Sequence, residues 1–253
     1  MKLIFCDMDG TLLNHHLKIT PYTKEKLIEL QEEGVGIILS SGRHIESLKK
    51  YGEELHFEKY PQSGYSCTNG LTFHDHLGRI ILEHPHLSYK DFLVVKEYAK
   101  KHKYGFICYT DQRRVLYHYH ESLLIRLLHL NKPIKEGEII DKFVFFGRPD
   151  FDTEGLDYSC ALVDRYWLEI GPQDCDKGTM LEEIAQYKHI DLKDVIAFGN
   201  GENDLPMLIK AGKGIAMKNA FEHVKEYADD VCGDHDNDGI GKYLEVHKHD
   251  EYE

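Results

Sequence analysis

Two aspartates stand one residue apart in the segment IFCDMDGTLL, where an apolar run near the N-terminus stops. Residues 3–6 are continuously apolar, which is typical of a parallel strand buried on both faces. Asp7 and Asp9 follow, and Gly10 can turn the backbone. Asp and Gly are ordinary turn residues, but ligands of open α/β sheets also bind at the carboxyl ends of strands. The segment alone fits both an Asp-rich turn and a pair of reactive carboxylates.

Four clusters of polar residues fall at predicted strand ends or helix starts. They are Asp7 with Asp9, Ser41, Lys177, and Asn200 with Asn203 and Asp204. A carboxylate can attack phosphorus, and a lysine and a hydroxyl can hold phosphate oxygens. Mg²⁺ prefers one or two carboxylates together with other oxygen ligands. If the strands are neighbours in one sheet, the clusters converge in one crevice and supply the groups that phosphoryl transfer requires.

The elements that must position these clusters alternate between strand and helix in two separate stretches of the chain. There we predict strands at 3–6, 35–39, 195–198, 214–217 and 230–232, a short strand that ends at residue 67, helices at 22–33, 45–55, 178–187, 203–210, 220–227 and 240–246, and a hairpin at 71–82. Such βαβ alternation predicts a Rossmann-like parallel sheet.

Between these stretches the pattern changes. We predict helices at 89–102 and 122–130 and antiparallel-looking strands at 105–110, 115–119, 142–146, 159–163 and 166–170. This mixture is typical of an α+β unit. The sequence therefore predicts a discontinuous α/β core domain of residues 1–83 and 172–253, with an α+β domain of residues 84–171 inserted in it.

Composition restricts the partners. The 253 residues carry a formal net charge of −13, so the surface as a whole repels nucleic acid and anionic membranes. No apolar run has the length of a transmembrane helix, and the first strand begins too early for a signal peptide. Six cysteines without a C-x-x-C pair favour free thiols in a reducing compartment. We expect a soluble, cytoplasmic protein that binds neither nucleic acid nor membranes.

The polar clusters lie in four motifs that resemble those of the haloacid dehalogenase (HAD) superfamily. They are DMDGTLL, LSSGR, DKGTML and FGNGENDLPML, in the order that the family has them, and TNG at residues 68–70 is also similar. The long insertion between the second and third motifs resembles the Cof-type phosphatases with a C2 (type IIB) cap. The resemblance implies a HAD core with an inserted α+β cap, and a phosphatase that acts through an aspartyl-phosphate.

The resemblance also implies a role for each polar residue. Asp7 would be the nucleophile, and Asp9 the general acid and base. The phosphate would contact Ser41, Gly42, Lys177 and Asn203, and Lys177 would neutralise its charge. The ligands of a Mg²⁺ ion would be Asp7, the backbone carbonyl of Asp9, Asn200 and Asp204. The expected partner is a small phosphorylated metabolite, such as a sugar phosphate, pyridoxal phosphate or flavin mononucleotide, bound by a monomer or homodimer.

One position departs from the family pattern. The family usually has Gly-Asp where this chain has Gly199-Asn200. An amide oxygen can still bind Mg²⁺, but without a negative charge, so we expect weaker metal binding. Asn200 therefore leaves open a protein that binds a phosphorylated metabolite without hydrolysing it. A phosphomutase also stays open, because its core would be similar and it would differ in holding a bisphosphate.

The segment DHDNDG at residues 234–239, with Glu245 at the twelfth position, satisfies the pattern of an EF-hand calcium loop. Gly241 stands where such a loop has a packed aliphatic residue, and the preceding residues indicate a strand rather than a helix. We interpret the segment as the turn that begins the last helix.

Overall fold

The computed structural model describes residues 1–117, 133–147, 158–163 and 167–247. The chain divides into two compact units, a core unit of Met1–Glu83 and Cys175–Glu253 and an inserted unit of His84–Asp174. The predicted helix at 122–130 lies outside the described residues. The domain boundaries at residues 171 and 172 stay a prediction.

The helices and strands follow the predicted order. The strands are β1 Leu3–Asp7, β2 Gly36–Ser40, β3 Gly64–Cys67, β4 Thr72–Asp75, β5 Ile80–Glu83, β6 Phe106–Thr110, β7 Arg114–Tyr117, β8 Ile140–Phe146, β9 Tyr158–Val163, β10 Trp167–Pro172, β11 Val195–Gly199, β12 Lys213–Ala216 and β13 Asp230–Val231. The helices, numbered within the described residues, are α1 Pro21–Glu32, α2 Ile45–Glu54, α3 Tyr89–His102, α4 Lys177–Tyr187, α5 Leu205–Lys210, α6 Glu222–Tyr227 and α7 Gly239–His247.

The core unit is built on one sheet with the strand order β13-β12-β11-β1-β2-β3-β4-β5. Strands β13 to β3 run parallel, and the β4–β5 hairpin adds two antiparallel strands at one edge. Both faces of the sheet are covered. Ile4 and Cys6 pack on the side of α1, α2 and α7, whereas Leu3 and Phe5 pack on the side of α4, α5 and α6. Burial on both faces explains why β1 is continuously apolar.

The inserted unit has an antiparallel sheet with the order β7-β6-β8-β10-β9. In the core of this unit, α3 packs on one face of the sheet. The packed side chains include Phe92, Val95, Phe106 and Phe143. Ser88 begins α3 with a capping box, in which its side chain accepts from the Asp91 backbone N–H. The predicted fold class, a mostly parallel α/β core with an inserted α+β unit, is confirmed.

The sheet register brings the predicted clusters to one edge. In β1, Cys6 lies opposite Phe198 of β11, and Asp7 lies opposite Ser40 of β2. The residues that follow these three parallel strands therefore leave the sheet on the same side. Among the described residues, no helix is long and apolar enough to cross a membrane.

Candidate active site

Lys177 is a fully buried cation held between two carboxylates. It is the first residue of α4, whose N-cap Asp176 accepts hydrogen bonds from the backbone of Gly178 and Thr179. The Lys177 Nζ donates to Asp7 Oδ1 and to Asp204 Oδ1, each at 2.6 Å. The start of α4 therefore places the ammonium group against Asp7, the last residue of β1.

The surroundings of Asp7 and Lys177 change the pKa values of these two groups. Burial and the neighbouring Asp204 carboxylate raise the pKa of Asp7, while Lys177 opposes the rise. Burial acts to lower the pKa of Lys177, but the Asp204 and Asp7 carboxylates outweigh it and raise that pKa. Lys177 therefore stays protonated as an ammonium group. Its single positive charge lies between the two acidic side chains of Asp7 and Asp204.

Both carboxylate oxygens of Asp204 accept hydrogen bonds from other groups of the protein. While Oδ1 accepts from Lys177, Oδ2 accepts from the backbone N–H groups of Asn200 at 2.8 Å and Gly201 at 2.9 Å. These contacts shape the turn after β11 and hold Lys177 in place. The structure thus gives Asp204 a positioning contact, and its predicted role as a metal ligand stays a prediction.

The side-chain amide of Asn200 lies against the oxygens of the first motif. One terminal amide position is 3.2 Å from Asp7 Oδ2, 3.0 Å from the Asp9 carbonyl oxygen and 2.7 Å from Thr11 Oγ1. Gly10 gives the amide room, because its φ is +78° and a Cβ there would lie 2.8 Å from the other amide atom. The contact between Asn200 and Thr11 thus joins the first and fourth motifs, although these two residues are 189 positions apart in the sequence.

This spacing fits a small octahedral cation. Mg²⁺–oxygen distances of 2.0–2.1 Å place neighbouring ligands about 3 Å apart. The Asn200 Oδ1 lies at about this separation from Asp7 Oδ2, at 3.2 Å, and from the Asp9 carbonyl oxygen, at 3.0 Å. These three oxygens would therefore hold Mg²⁺.

Asp9 has a partner that the sequence did not predict. The Arg43 Nε donates to Asp9 Oδ2 at 2.9 Å, and its Nη2 donates to Asp9 Oδ1. The Asp9 side chain is 52% exposed, so this fork fixes a group that solvent would otherwise leave free to rotate. The only sequence signal was the arginine at the end of LSSGR.

The loop at 68–70 packs on the second motif. The Asn69 backbone N–H donates to the Ser41 carbonyl, and the Asn203 side chain donates to Asn69 Oδ1 at 3.2 Å. A Cβ on Gly42 would lie 3.3 Å from the Asn69 amide. The predicted phosphate contacts Ser41, Gly42 and Asn203 are therefore gathered around Asn69, which was not among the predicted site residues.

The segment at 234–239 forms the predicted turn. Strand β13 precedes it, residues His235–Asn237 form a single 3₁₀ turn, and α7 begins at Gly239. Among the described residues, Asp234, His235 and Asp236 do lie close enough to share a cation. Asp236 is already bound by the backbone and ring of His15.

Comparison with known proteins decides the family. The family model of the haloacid dehalogenase-like hydrolases matches residues 4–148 and 148–244. The chain belongs to this family. The predicted resemblance is thereby confirmed, and the protein is a hydrolase of the HAD type.

Relatives along almost the whole chain are phosphatases. The pyridoxal phosphate phosphatase YbhA of Escherichia coli is 24% identical and covers 97% of this chain, with 98% of its own length matched. The 5-amino-6-(5-phospho-D-ribitylamino)uracil phosphatase YitU of Bacillus subtilis is 26% identical, with 96% of each chain covered. The solved HAD subclass IIB sugar phosphatase BT4131 has a TM-score of 0.79 at 21% identity, covering 98% of this chain and 99% of that one. This structure shares the fold.

Proposed function

We propose that this protein is a Mg²⁺-dependent phosphatase of small phosphorylated metabolites, with Asp7 as its nucleophile. The observation that carries the proposal is the contact pattern of Asp7. One of its oxygens accepts from buried Lys177, and the other lies 3.2 Å from the Asn200 amide, which is itself 3.0 Å from the Asp9 carbonyl oxygen. A carboxylate so placed has a fixed direction and a neighbouring cation. The family and the phosphatase relatives support the same reaction.

The reaction has two displacements. In the first, an Asp7 oxygen forms a bond to phosphorus while the bond from phosphorus to the ester oxygen breaks. Asp9 donates a proton to the departing oxygen, so the leaving group departs as an alcohol. In the second, Asp9 takes a proton from water, which attacks phosphorus and releases inorganic phosphate and the Asp7 carboxylate. Bound Mg²⁺ would supply positive charge to the phosphoryl oxygens.

The remaining residues hold the phosphoryl group. Lys177 remains an ammonium group and neutralises charge on Asp7 and on the phosphate. We assign Ser41, Gly42 and Asn203 to the phosphate oxygens, since the loop of Asn69 gathers them. Asp204 acts through Lys177 and is a positioning residue.

The substrate is a monoester of a small metabolite. The names of the phosphatase relatives give their substrates as pyridoxal phosphate, a ribitylaminouracil phosphate and sugar phosphates. A net charge of −13 disfavours a polyanionic macromolecule as substrate. We therefore propose sugar phosphates, pyridoxal phosphate and flavin mononucleotide as the substrate classes to compare.

The direct test is phosphate release from p-nitrophenyl phosphate and from these three classes, with and without a chelator. We expect turnover with Mg²⁺, a loss to background in EDTA, and full recovery when Mg²⁺ is restored. Turnover that is unchanged in EDTA would contradict the metal requirement. Binding of an ester without release of phosphate would indicate the non-catalytic alternative, and isomerisation of a sugar phosphate would indicate a phosphomutase.

Arg43 offers a second test, because its fork holds the proposed acid Asp9. In Arg43→Ala we expect kcat/KM for an alkyl phosphate to fall by about 10–100-fold, part of the usual contribution of general acid catalysis. The value for p-nitrophenyl phosphate should change less, since p-nitrophenolate departs without a proton.

Arg43→Lys is the matched control, because it keeps the charge and removes the fork. In Arg43→Lys, kcat/KM should also fall more for the alkyl phosphate than for p-nitrophenyl phosphate, but both losses should be smaller than in Arg43→Ala. Equal losses for both esters in Arg43→Ala would show that Arg43 acts on the fold or on phosphate binding instead.

A further inference from the structure

The Asn200 side-chain amide faces two oxygen atoms, Asp7 Oδ2 and the Asp9 carbonyl oxygen, that accept hydrogen bonds. The Asp9 carbonyl only accepts, and the ionised Asp7 carboxylate only accepts. The Asn200 Oδ1 accepts from Thr11 Oγ1 at 2.7 Å and lies 3.0 Å from the Asp9 carbonyl oxygen and 3.2 Å from Asp7 Oδ2, so without a cation between them it meets two acceptors. With NH₂ in that position, the amide donates to both and to Thr11 Oγ1 at 2.7 Å. In the absence of a cation, the two acceptors therefore favour the NH₂ orientation.

We propose that Asn200 is a two-position switch of the cation site. In the metal-free protein its NH₂ group bridges the Asp7 and Asp9 oxygens, and metal binding requires the amide to turn by half a rotation so that its oxygen faces the cation. The inference rests on the proposed function only for the identity of the cation. It describes how this chain accommodates an asparagine where its family usually carries an aspartate.

Thr11 allows both orientations of the amide. Thr11 is buried, and its hydroxyl lies 2.7 Å from the same amide position. A hydroxyl can donate or accept, so Thr11 accepts from the NH₂ group in one orientation and donates to the oxygen in the other. The amide is held at its backbone in both cases, since the Asn200 N–H donates to Asp204 and its carbonyl accepts from Phe221.

A carboxylate at position 200 would act differently. It would place a second negative charge beside Asp7 and the Asp9 carbonyl, with no donor to bridge them. The metal-free state would lose stability, and the added charge would raise the affinity for a dication. The asparagine thus stabilises the metal-free protein and weakens metal binding, so the protein exchanges its cation more readily than an aspartate-bearing site would.

The test compares the chain with Asn200→Asp in chelator and in Mg²⁺, using the thermal unfolding midpoint and titration calorimetry with Mg²⁺ alone. Without metal we expect Asn200→Asp to melt about 4–10 °C lower. Mg²⁺ should raise its midpoint by more than it raises that of the parent chain, with a dissociation constant about tenfold lower. Gln186→Glu, which also replaces an amide by a carboxylate but at an exposed residue of α4, should change neither quantity.

A metal-free Asn200→Asp protein as stable as the parent chain would overturn the switch. This outcome is separate from failure of the proposed function. If the parent chain turns over substrate with Mg²⁺ but the variant is not destabilised, only the switch is wrong. If the variant is destabilised but Mg²⁺ affects neither protein, the bridge stands and the Mg²⁺ requirement fails.

A second measurement uses the parent chain and does not need the variant to be stable. A bridged NH₂ group gives a side-chain amide signal that is protected from hydrogen exchange in a ¹⁵N NMR spectrum of the metal-free protein. Adding Mg²⁺ should shift that signal and speed its exchange. A spectrum in which no protected side-chain amide responds to Mg²⁺, although calorimetry shows that Mg²⁺ binds, would contradict the inference.

Discussion

Replacing Lys177 by Met is expected to lower the unfolding midpoint by about 6–20 °C and to abolish phosphate release. Lys177 is fully buried and donates to two carboxylates at 2.6 Å, so its removal leaves two buried acids without a cation. Breaking a buried ion pair from one side typically costs about 3–5 kcal/mol. A change of about 1 kcal/mol shifts the midpoint of a protein of this size by roughly 2–4 °C.

Two controls separate charge from packing. Lys210→Met removes a cation that is 2.6 Å from Glu182 but partly exposed, and it should shift the midpoint by less than about 4 °C. Adding Asp7→Asn to Lys177→Met removes one of the uncompensated carboxylates and should recover part of the lost stability. A double variant no more stable than Lys177→Met would show that Lys177 stabilises the core unit through packing alone.

Replacing Asp7 by Asn is expected to reduce kcat by about 10⁴-fold or more while leaving the protein folded, as losses of other covalent nucleophiles do. Asparagine is a poor nucleophile at phosphorus, so the first displacement fails. Stability should change little, because Lys177 keeps its contact with Asp204 and because burial already disfavours ionised Asp7 by raising its pKa. The measurements are phosphate release at saturating Mg²⁺ and the unfolding midpoint.

Asp191→Asn is the matched control, since it makes the same exchange at an exposed residue of the core unit. It should retain the parent rate. If Asp7→Asn kept more than about a tenth of the parent activity, Asp7 would not be the nucleophile, because no loss so small fits removal of a covalent nucleophile.

Much of the fold was predictable from the sequence, because the local sequence patterns agree with the burial of residues in the structure. The predicted helix 89–102 matches α3 at both ends, since Ser88 caps it and a left-handed Lys103 ends it. The helix predicted at 203–210 is different, because residues Glu202–Asp204 form a 3₁₀ turn before α5. Asp204 causes the difference by accepting the backbone N–H groups of Asn200 and Gly201. Propensity alone does not reveal such a contact.

The candidate site was predictable in its groups and less so in its contacts. The predicted strand ends and helix starts identified Asp7, Lys177 and Asp204, and in the structure Lys177 donates to both aspartates at 2.6 Å. The fork between Arg43 and Asp9 was not predicted, because it depends on the directions of two side chains on different loops. The hydrogen bond between Thr11 Oγ1 and the Asn200 amide was not predicted for the same reason, since it depends on tertiary structure.

The most direct measurement traps the phosphoryl group on the protein. Asp9→Asn should still be phosphorylated by p-nitrophenyl phosphate but should hydrolyse the intermediate slowly, because the proposed base is missing. The structure predicts about one p-nitrophenolate released per protein in a burst, and one phosphoryl group that mass spectrometry of acid-quenched peptides locates on Asp7. Asp7→Asn should give neither. A phosphoryl group on another residue, or a burst that persists in Asp7→Asn, would contradict the proposed nucleophile.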